Sequence, residues 1–125
     1  MTSQALKDRT KKFSIATIDL VEKLPQTAGG RTIAHQLVRS GTSVGANYRA
    51  VCRARSDKEF ISKMNIVLEE VDECAFWLEI IQEKNWFTVV EILKEANELT
   101  AICVSTLKTM NKKTKSQTLN PKSKI

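Results

Sequence analysis

Hydrophobic residues recur along the chain at the spacing of an α-helix, in four separate segments. Each segment gathers its apolar side chains on one face, because successive residues of a helix are rotated by about 100°. The first segment covers residues 6–24 and ends at Pro25, which cannot donate a hydrogen bond to the preceding turn. The second covers about residues 31–55 and keeps its phase through Gly41 and Gly45. This pattern predicts one continuous second helix, in which the glycine pair allows another backbone to approach closely.

Two further helices are predicted from capping boxes, in which a Ser or Thr side chain accepts a hydrogen bond from the amide three residues later. Ser56 opens the third helix, with Glu59 as its partner, and this helix ends near residues 84–85. Thr88 opens the fourth, whose apolar stripe continues to Met110. No strand-like alternation competes with the four segments, and short connections favour antiparallel neighbours. The fold class predicted is therefore all-α, an up-and-down antiparallel four-helix bundle.

Charge is segregated along the chain, which has 125 residues and a net charge of +6. Residues 1–55 carry ten basic and three acidic side chains, residues 56–110 carry five and eleven, and residues 111–125 carry five and none. The length is that of one domain. The last stretch has almost no apolar content and cannot build a packed core. We therefore predict a bundle domain over residues 1–110 and a disordered Lys-rich tail over residues 111–125.

Composition excludes several other classes of protein. No uncharged apolar run approaches the roughly 20 residues needed to cross a bilayer, and the first residues lack the apolar stretch of a signal peptide. These features predict a cytoplasmic protein without a membrane partner. Cys52, Cys74 and Cys103 are odd in number and far apart, so neither a disulfide framework nor a zinc site is indicated. Each lies on the apolar side of its helix, which predicts three buried free thiols.

Nothing in the sequence assembles into a catalytic set. His35 is the single histidine and lacks the Glu-x-x-His companions that a metal site in a bundle would use. The acidic run over residues 69–73 is a candidate divalent-metal site, although such a run is more often a solvated face. No Gly-rich phosphate loop and no nucleophile–base pair occur. We therefore predict no enzyme activity, no catalytic residue, no metal, no cofactor and no small-molecule substrate, with a metal-dependent enzyme as the less favoured alternative.

The second helix carries a stripe of cations away from its apolar face. Helical rotation places Arg31, Arg39, Arg49 and Arg53 in one sector, together with His35. The planar guanidinium fork suits phosphate, so the stripe is a candidate nucleic-acid-binding surface, with RNA as the partner and the basic tail adding attraction. No surface aromatic platform is evident, so sequence-specific base recognition is not predicted. The alternative is a charge contact with the acidic third helix, within one bundle or between two copies.

Apolar residues that lie off the main stripes predict self-association. They belong to the first and third helices, and a lone bundle would leave them in contact with water. This candidate oligomer interface consists of Ile15, Ile18, Ile66, Trp77 and Ile80. A basic second helix facing the acidic third helix of the next copy would form a head-to-tail contact, which closes into a ring if the rotation allows. We therefore predict a homo-oligomer, with a structural or adaptor role as the alternative to RNA binding.

A motif in the second helix resembles a known bacterial family. Residues 36–49 read Gln-Leu-Val-Arg-Ser-Gly-Thr-Ser-Val-Gly-Ala-Asn-Tyr-Arg, followed by Cys-Arg-Ala-Arg-Ser at residues 52–56, Glu59-Phe60, Lys63 and Phe-Trp-Leu at residues 76–78. Over residues 6–110 the chain is similar to the four-helix bundle family of the 23S ribosomal RNA intervening-sequence proteins. That family often has Glu where this chain has Ala50, so any role of that carboxylate is absent here.

The resemblance implies a small protein that assembles as a homopentamer. Some members are encoded inside insertions of the large-subunit ribosomal RNA gene, and a related branch serves as the nucleic-acid-binding accessory protein of reverse transcriptases. It therefore adds a reverse transcriptase to the protein partners on which an adaptor might dock. No catalytic residues come with the family. The number five rests on the resemblance, since the charge pattern and the spare apolar surface predict an oligomer of unspecified order.

Overall fold

The computed structural model describes residues 1–119, and this part of the chain forms four α-helices and no strand. They are α1 (Ser3–Val21), α2 (Ala28–Cys52), α3 (Asp57–Glu83) and α4 (Val90–Leu119). Consecutive helices pack on one another, while α1 and α4 contact each other over a smaller surface. The prediction of an all-α four-helix fold is confirmed for the described residues, and assembly into a ring stays a prediction.

Side-chain caps fix where the first three helices begin. The hydroxyls of Thr2, Thr27 and Ser56 each accept a hydrogen bond from a backbone amide in the first turn, and the Glu59 N–H lies 3.1 Å from the Ser56 Oγ. The prediction for Thr88 is wrong, because α4 begins at Val90. The Leu93 N–H donates to the Val89 carbonyl at 2.9 Å, so Val89 occupies the capping position.

The predicted disorder of residues 111–119 is also wrong. α4 continues through them to Leu119, and the Lys113 ammonium lies 3.5 Å from an Asp57 carboxylate oxygen. The physical reason is that these residues contain neither glycine nor proline and extend a helix already nucleated by its packed part. The remainder of the predicted tail, residues 120–125, lies outside the described residues.

The core is formed by one apolar stripe from each helix. Its fully buried members include Leu37, Val44, Met64, Leu78 and Leu99. Among the cysteines, Cys74 and Cys103 are buried as predicted, and desolvation raises the pKa of the Cys74 thiol to about 12 and that of Cys103 to about 11. Cys52 is exposed, contrary to prediction, because it is the last residue of α2 and lies at the end of the bundle.

α1 and α2 approach closely at the two central glycines of α2. The Ser14 hydroxyl donates to the Gly41 carbonyl at 2.7 Å and accepts from the Gly45 N–H at 3.1 Å. These are the two groups that an α-helix normally joins directly, so the hydroxyl of α1 bridges one turn of the α2 backbone. A Cβ atom on Gly41 would lie 2.2 to 2.6 Å from the Thr17 side chain. The packing role predicted for the glycine pair therefore has a specific partner surface on α1.

An ion pair joins α1 to α4, which pack on each other less extensively than consecutive helices do. The Arg9 guanidinium makes two 2.7 Å hydrogen bonds with the Glu95 carboxylate and a third, at 3.2 Å, with Glu98. The bond from Arg9 lowers the pKa of the Glu95 carboxyl, against the opposing effect of desolvation. Both Arg9 and Glu95 are partly shielded from water, which strengthens the pair relative to an exposed one.

Replacing Glu95 by glutamine is expected to lower the free energy of unfolding by about 1 kcal/mol at neutral pH. A carboxyl whose pKa is lowered by folding stabilises the protein above its ordinary pKa and loses that contribution as pH falls through the folded value. The difference between wild type and E95Q should therefore disappear in acid, as measured by urea denaturation across pH. The matched control is E69Q, because Glu69 is exposed, lies in the middle of α3 and forms no ion pair within the described residues. A difference for E95Q that persists unchanged in acid contradicts this account.

Candidate nucleic-acid interface

The up-and-down topology gathers most of the cations of the protein at one end of the bundle. Leu6, Tyr48, Phe60 and Ile102, one from each helix, line the same cavity and mark this end. We call it the basic end and define it as residues 1–12, 46–67 and 102–116. It holds thirteen lysines and arginines but only three acidic residues, Asp8, Asp57 and Glu59, while Glu95 and Glu98 lie at its border, where both pair with Arg9. Besides Arg9, its cations are Lys7, Lys11, Lys12, Arg49, Arg53, Arg55, Lys58, Lys63, Lys108, Lys112, Lys113 and Lys115.

The opposite end is acidic. We define the acidic end as residues 13–45 and 68–101, where eleven aspartates and glutamates outnumber five lysines and arginines. Charge is thus separated along the axis of the bundle. The division of the sequence into thirds does not show this, because every helix contributes one of its halves to each end. The separation of charge along the axis becomes evident only when the charges are mapped onto helices of alternating direction.

The predicted arginine stripe is divided between the two ends. Arg31 and Arg39 lie at the acidic end, and both guanidinium groups have partners in the chain. Arg39 forms ion pairs with Glu70, at 3.4 Å, and with Glu73, while Arg31 donates to the Gln26 carbonyl at 2.7 Å. For Arg39, the structure therefore matches the alternative in which α2 and the acidic α3 make a charge contact within one bundle.

Arg49 and Arg53 lie at the basic end, and both are exposed. Neither forms an ion pair with another described residue. Ala50, between them in sequence, is half-buried and brings no carboxylate to this surface. Of the three acidic residues at this end, Asp57 lies 3.5 Å from Lys113 and Glu59 lies 3.8 Å from Arg55. These contacts leave Arg49 and Arg53 with their positive charge uncompensated by any side chain described.

The residues of the predicted oligomer interface differ in exposure. Ile15, Ile18 and Ile66 are exposed, whereas Trp77 and Ile80 are half-buried and pack against the core. The Trp77 indole N–H also donates to the Glu73 carboxylate at 3.2 Å. Sequence reasoning missed other exposed apolar side chains, which are Met1, Phe76, Phe87, Val90 and Val104. Phe76 is 55% exposed and meets Trp77 edge to face, with 4.9 Å between the ring centroids, at the acidic end of the bundle.

Two carboxylates of the candidate metal site over residues 69–73, those of Glu70 and Glu73, form ion pairs with Arg39. Across the described residues, no group of three or more His, Cys, Asp or Glu side chains is placed to hold a metal ion. His35 is exposed and lines a shallow pocket with Arg31, without an acidic neighbour among the residues that form it. None of the helices in the described part of the chain combines the length and the apolar content needed to span a bilayer.

Comparison with known proteins identifies a family. The family model of the 23S rRNA-intervening sequence protein matches residues 3–116. A crystal structure of a protein of unknown function, from the S23 ribosomal protein family of Bacteroides thetaiotaomicron, superposes with a TM-score of 0.78 at 31% sequence identity. The alignment covers 86% of this chain and 99% of that one. The comparison with curated proteins gives no match. The chain therefore belongs to the 23S rRNA-intervening sequence protein family.

Proposed function

We propose that this protein is a non-enzymatic, cytoplasmic bundle that binds RNA through its basic end. The observation that carries the proposal is the convergence of cations from all four helices on one end that holds only three acidic residues. A surface of this kind attracts a polyanion, and the acidic end repels it, so the RNA meets the bundle in one orientation. The family description associates the family with an intervening sequence of 23S rRNA, and this association with RNA is consistent with the proposal.

Within the predicted stripe, we assign phosphate contact to Arg49 and Arg53. Both are exposed, and each guanidinium can offer two parallel N–H donors to one phosphate. A phosphate at Arg39 would compete with Glu70 and Glu73, which already pair with both of its terminal nitrogens and compensate its charge. The contribution of Arg31 and Arg39 to RNA affinity is therefore expected to be small beside that of Arg49 and Arg53.

A charge reversal at each end tests the proposal. The double variant R49E/R53E is expected to bind a structured RNA with loops at least about tenfold more weakly than wild type in low salt, because two phosphate contacts become repulsive. The matched control is K23E/K94E, which changes the net charge by the same amount with exposed lysines of the acidic end. It should bind within about twofold of wild type. Equal losses in the two variants would show that net charge alone governs binding and would contradict the proposal.

A second candidate function is self-association or docking on a protein partner. It is favoured by Ile15, Ile18, Ile66 and Phe76, apolar side chains that remain exposed in the single bundle. Joining opposite ends of successive copies would pair the basic end with the acidic end and weaken in high salt, whereas lateral packing of apolar faces would persist. Light scattering of wild type and I15E/I18E at two salt concentrations separates these arrangements. A monomer at all concentrations and salts removes self-association and leaves docking on a different protein as the use of these side chains. A ring of five stays a prediction.

A further inference from the structure

A cavity opens at the centre of the basic end. Residues from all four helices form it, from the first turns of α1 and α3, the last turn of α2 and the middle of α4. Its volume is about 510 Å³, within the range of sites that take small molecules. The cavity opens to solvent, because Thr2, Ser3, Ala101 and Ser105 are exposed and belong to its lining.

The lining combines apolar side chains with hydroxyl groups, and Met1, which carries the terminal ammonium, also belongs to it. Phe60 is half-buried and provides the accessible aromatic ring, Tyr48 and Met64 are buried, and the exposed Ser3 and Ser105 contribute hydroxyls that can donate or accept hydrogen bonds. Burial, together with the neighbouring Cys52 thiol, raises the pKa of Tyr48 to about 12, so its phenol stays uncharged at physiological pH. No lysine, arginine, aspartate or glutamate is among the residues that line the cavity. Such a lining suits a flat uncharged ligand with polar edges.

Several cations of the basic end are sequence neighbours of lining residues. Lys7 follows Leu6, Arg49 follows Tyr48, and Lys63 precedes Met64, so each of these helices carries a charged residue beside a lining residue. The cavity lies within the part of the bundle where cations predominate. A nucleotide has the complementary form, because an uncharged aromatic base is attached to a charged sugar–phosphate chain.

We infer that the cavity at the basic end takes an unpaired nucleobase of a bound RNA, whose flanking phosphates contact the cations around the opening. The inference rests on the proposed RNA-binding function and adds to it a preference for RNA with an accessible base. Aromatic side chains accept any base by its flat face, and hydroxyls meet its polar edge, so the site recognises unpaired nucleotides without a strict sequence. A fully paired duplex presents no base to the cavity.

The test compares two short single-stranded RNA probes of equal length and charge, one with all its bases and one with abasic positions at its centre. Wild type is expected to bind the base-bearing probe about tenfold more tightly, which is the size of effect that one stacked base has. In S105F a phenyl group fills the cavity from an exposed position, and the preference should fall to about twofold or less. The matched control is S62F, at an exposed serine of the same end that does not line the cavity, and it should keep the preference.

The outcomes separate the two proposals. Equal affinity of wild type for both probes, or an unchanged preference in S105F, overturns the nucleobase site. The RNA-binding function then still stands if the abasic probe binds and the interaction weakens with salt. Absence of binding to either probe removes both proposals. Thermal unfolding of S105F and S62F beside wild type confirms that the variants are folded before affinities are compared.

Discussion

Replacing Gly41 by alanine is expected to lower the free energy of unfolding by about 2 to 3 kcal/mol. The added Cβ would lie 2.2 Å from Oγ1, 2.5 Å from Cγ2 and 2.6 Å from Cβ of Thr17. The last of these atoms is fixed to the α1 backbone, so a side-chain rotation does not relieve the contact and the two helices must separate. Separation also weakens the hydrogen bonds of Ser14 with α2. Alanine gains up to about 1 kcal/mol in helix propensity, which is smaller than these losses.

The matched control for this prediction is Gly29→Ala, in the first turn of the same helix. A Cβ on Gly29 meets only the Trp86 ring, at 3.7 Å, which is an ordinary contact. The same change of residue type should therefore leave stability unchanged or raise it by up to about 1 kcal/mol. Urea denaturation of the two variants measures the difference. Equal stability of G41A and G29A contradicts the close approach of α1 and α2.

Raising the salt concentration from 50 to 200 mM is expected to weaken RNA binding by at least about thirtyfold. A protein that contacts Z phosphates of a single strand loses affinity with a slope of roughly −0.7Z in log K against log salt. Four contacts from the basic end, two of them by Arg49 and Arg53, correspond to a slope of about −2.8. The slope is obtained from fluorescence-anisotropy titrations of one RNA at several salt concentrations.

Charge-neutral variants sharpen this second prediction. R49Q/R53Q should reduce the magnitude of the slope by about 1.4, because two phosphate contacts are lost. R31Q/R39Q, which changes the charge equally at the acidic end, should leave the slope near the wild-type value, because Arg39 is already paired with Glu70 and Glu73. If the magnitude of the slope decreases equally in both variants, the whole arginine stripe of α2 contacts the RNA. That result would contradict the assignment to the basic end.

The four helices could be predicted from the sequence because the apolar period and the caps are local signals. Ser56 caps α3 as its position before Glu59 predicts, since a capping box needs only residues that are close in sequence. The sequence predicts too early a start for α4, because Thr88 is a residue type that often caps helices. In the structure α4 begins at Val90, and Val89, which precedes it, is buried in the core. Residues 111–119 show the opposite error, since a polar segment that lacks a core of its own can still extend a packed helix.

The candidate site was predictable only in part, because it depends on contacts between helices. Helical rotation places Arg39 and Arg49 in one sector of α2, about 15 Å apart along the axis. The rotation of α2 does not indicate which side chains of other helices lie next to each arginine. Glu70 and Glu73 lie on α3 opposite Arg39, whereas no acidic side chain described pairs with Arg49. Which arginines of α2 are paired with carboxylates therefore depends on how the helices pack, and the sequence of α2 alone does not show it.

The glycine pair shows how local and tertiary signals combine in one motif. Its spacing predicts close packing, but the sequence does not name the partner surface. The structure supplies it, since Thr17 lies against Gly41 and the Ser14 hydroxyl bridges the two glycines. Both polar residues of α1 are buried, although their residue types are usually exposed. The stretch that carries the family resemblance therefore has a structural role in joining α1 to α2.

Photo-crosslinking of a thiouridine-containing RNA to the wild-type protein tests the central claim most directly, because it locates the bound RNA without any substitution in the chain. Mass spectrometry of the crosslinked peptides should place the RNA on residues 1–12, 46–67 and 102–116, the three segments of the basic end. Crosslinks concentrated on residues 68–101, or around Arg31 and Arg39, would place it on the acidic end and contradict the account.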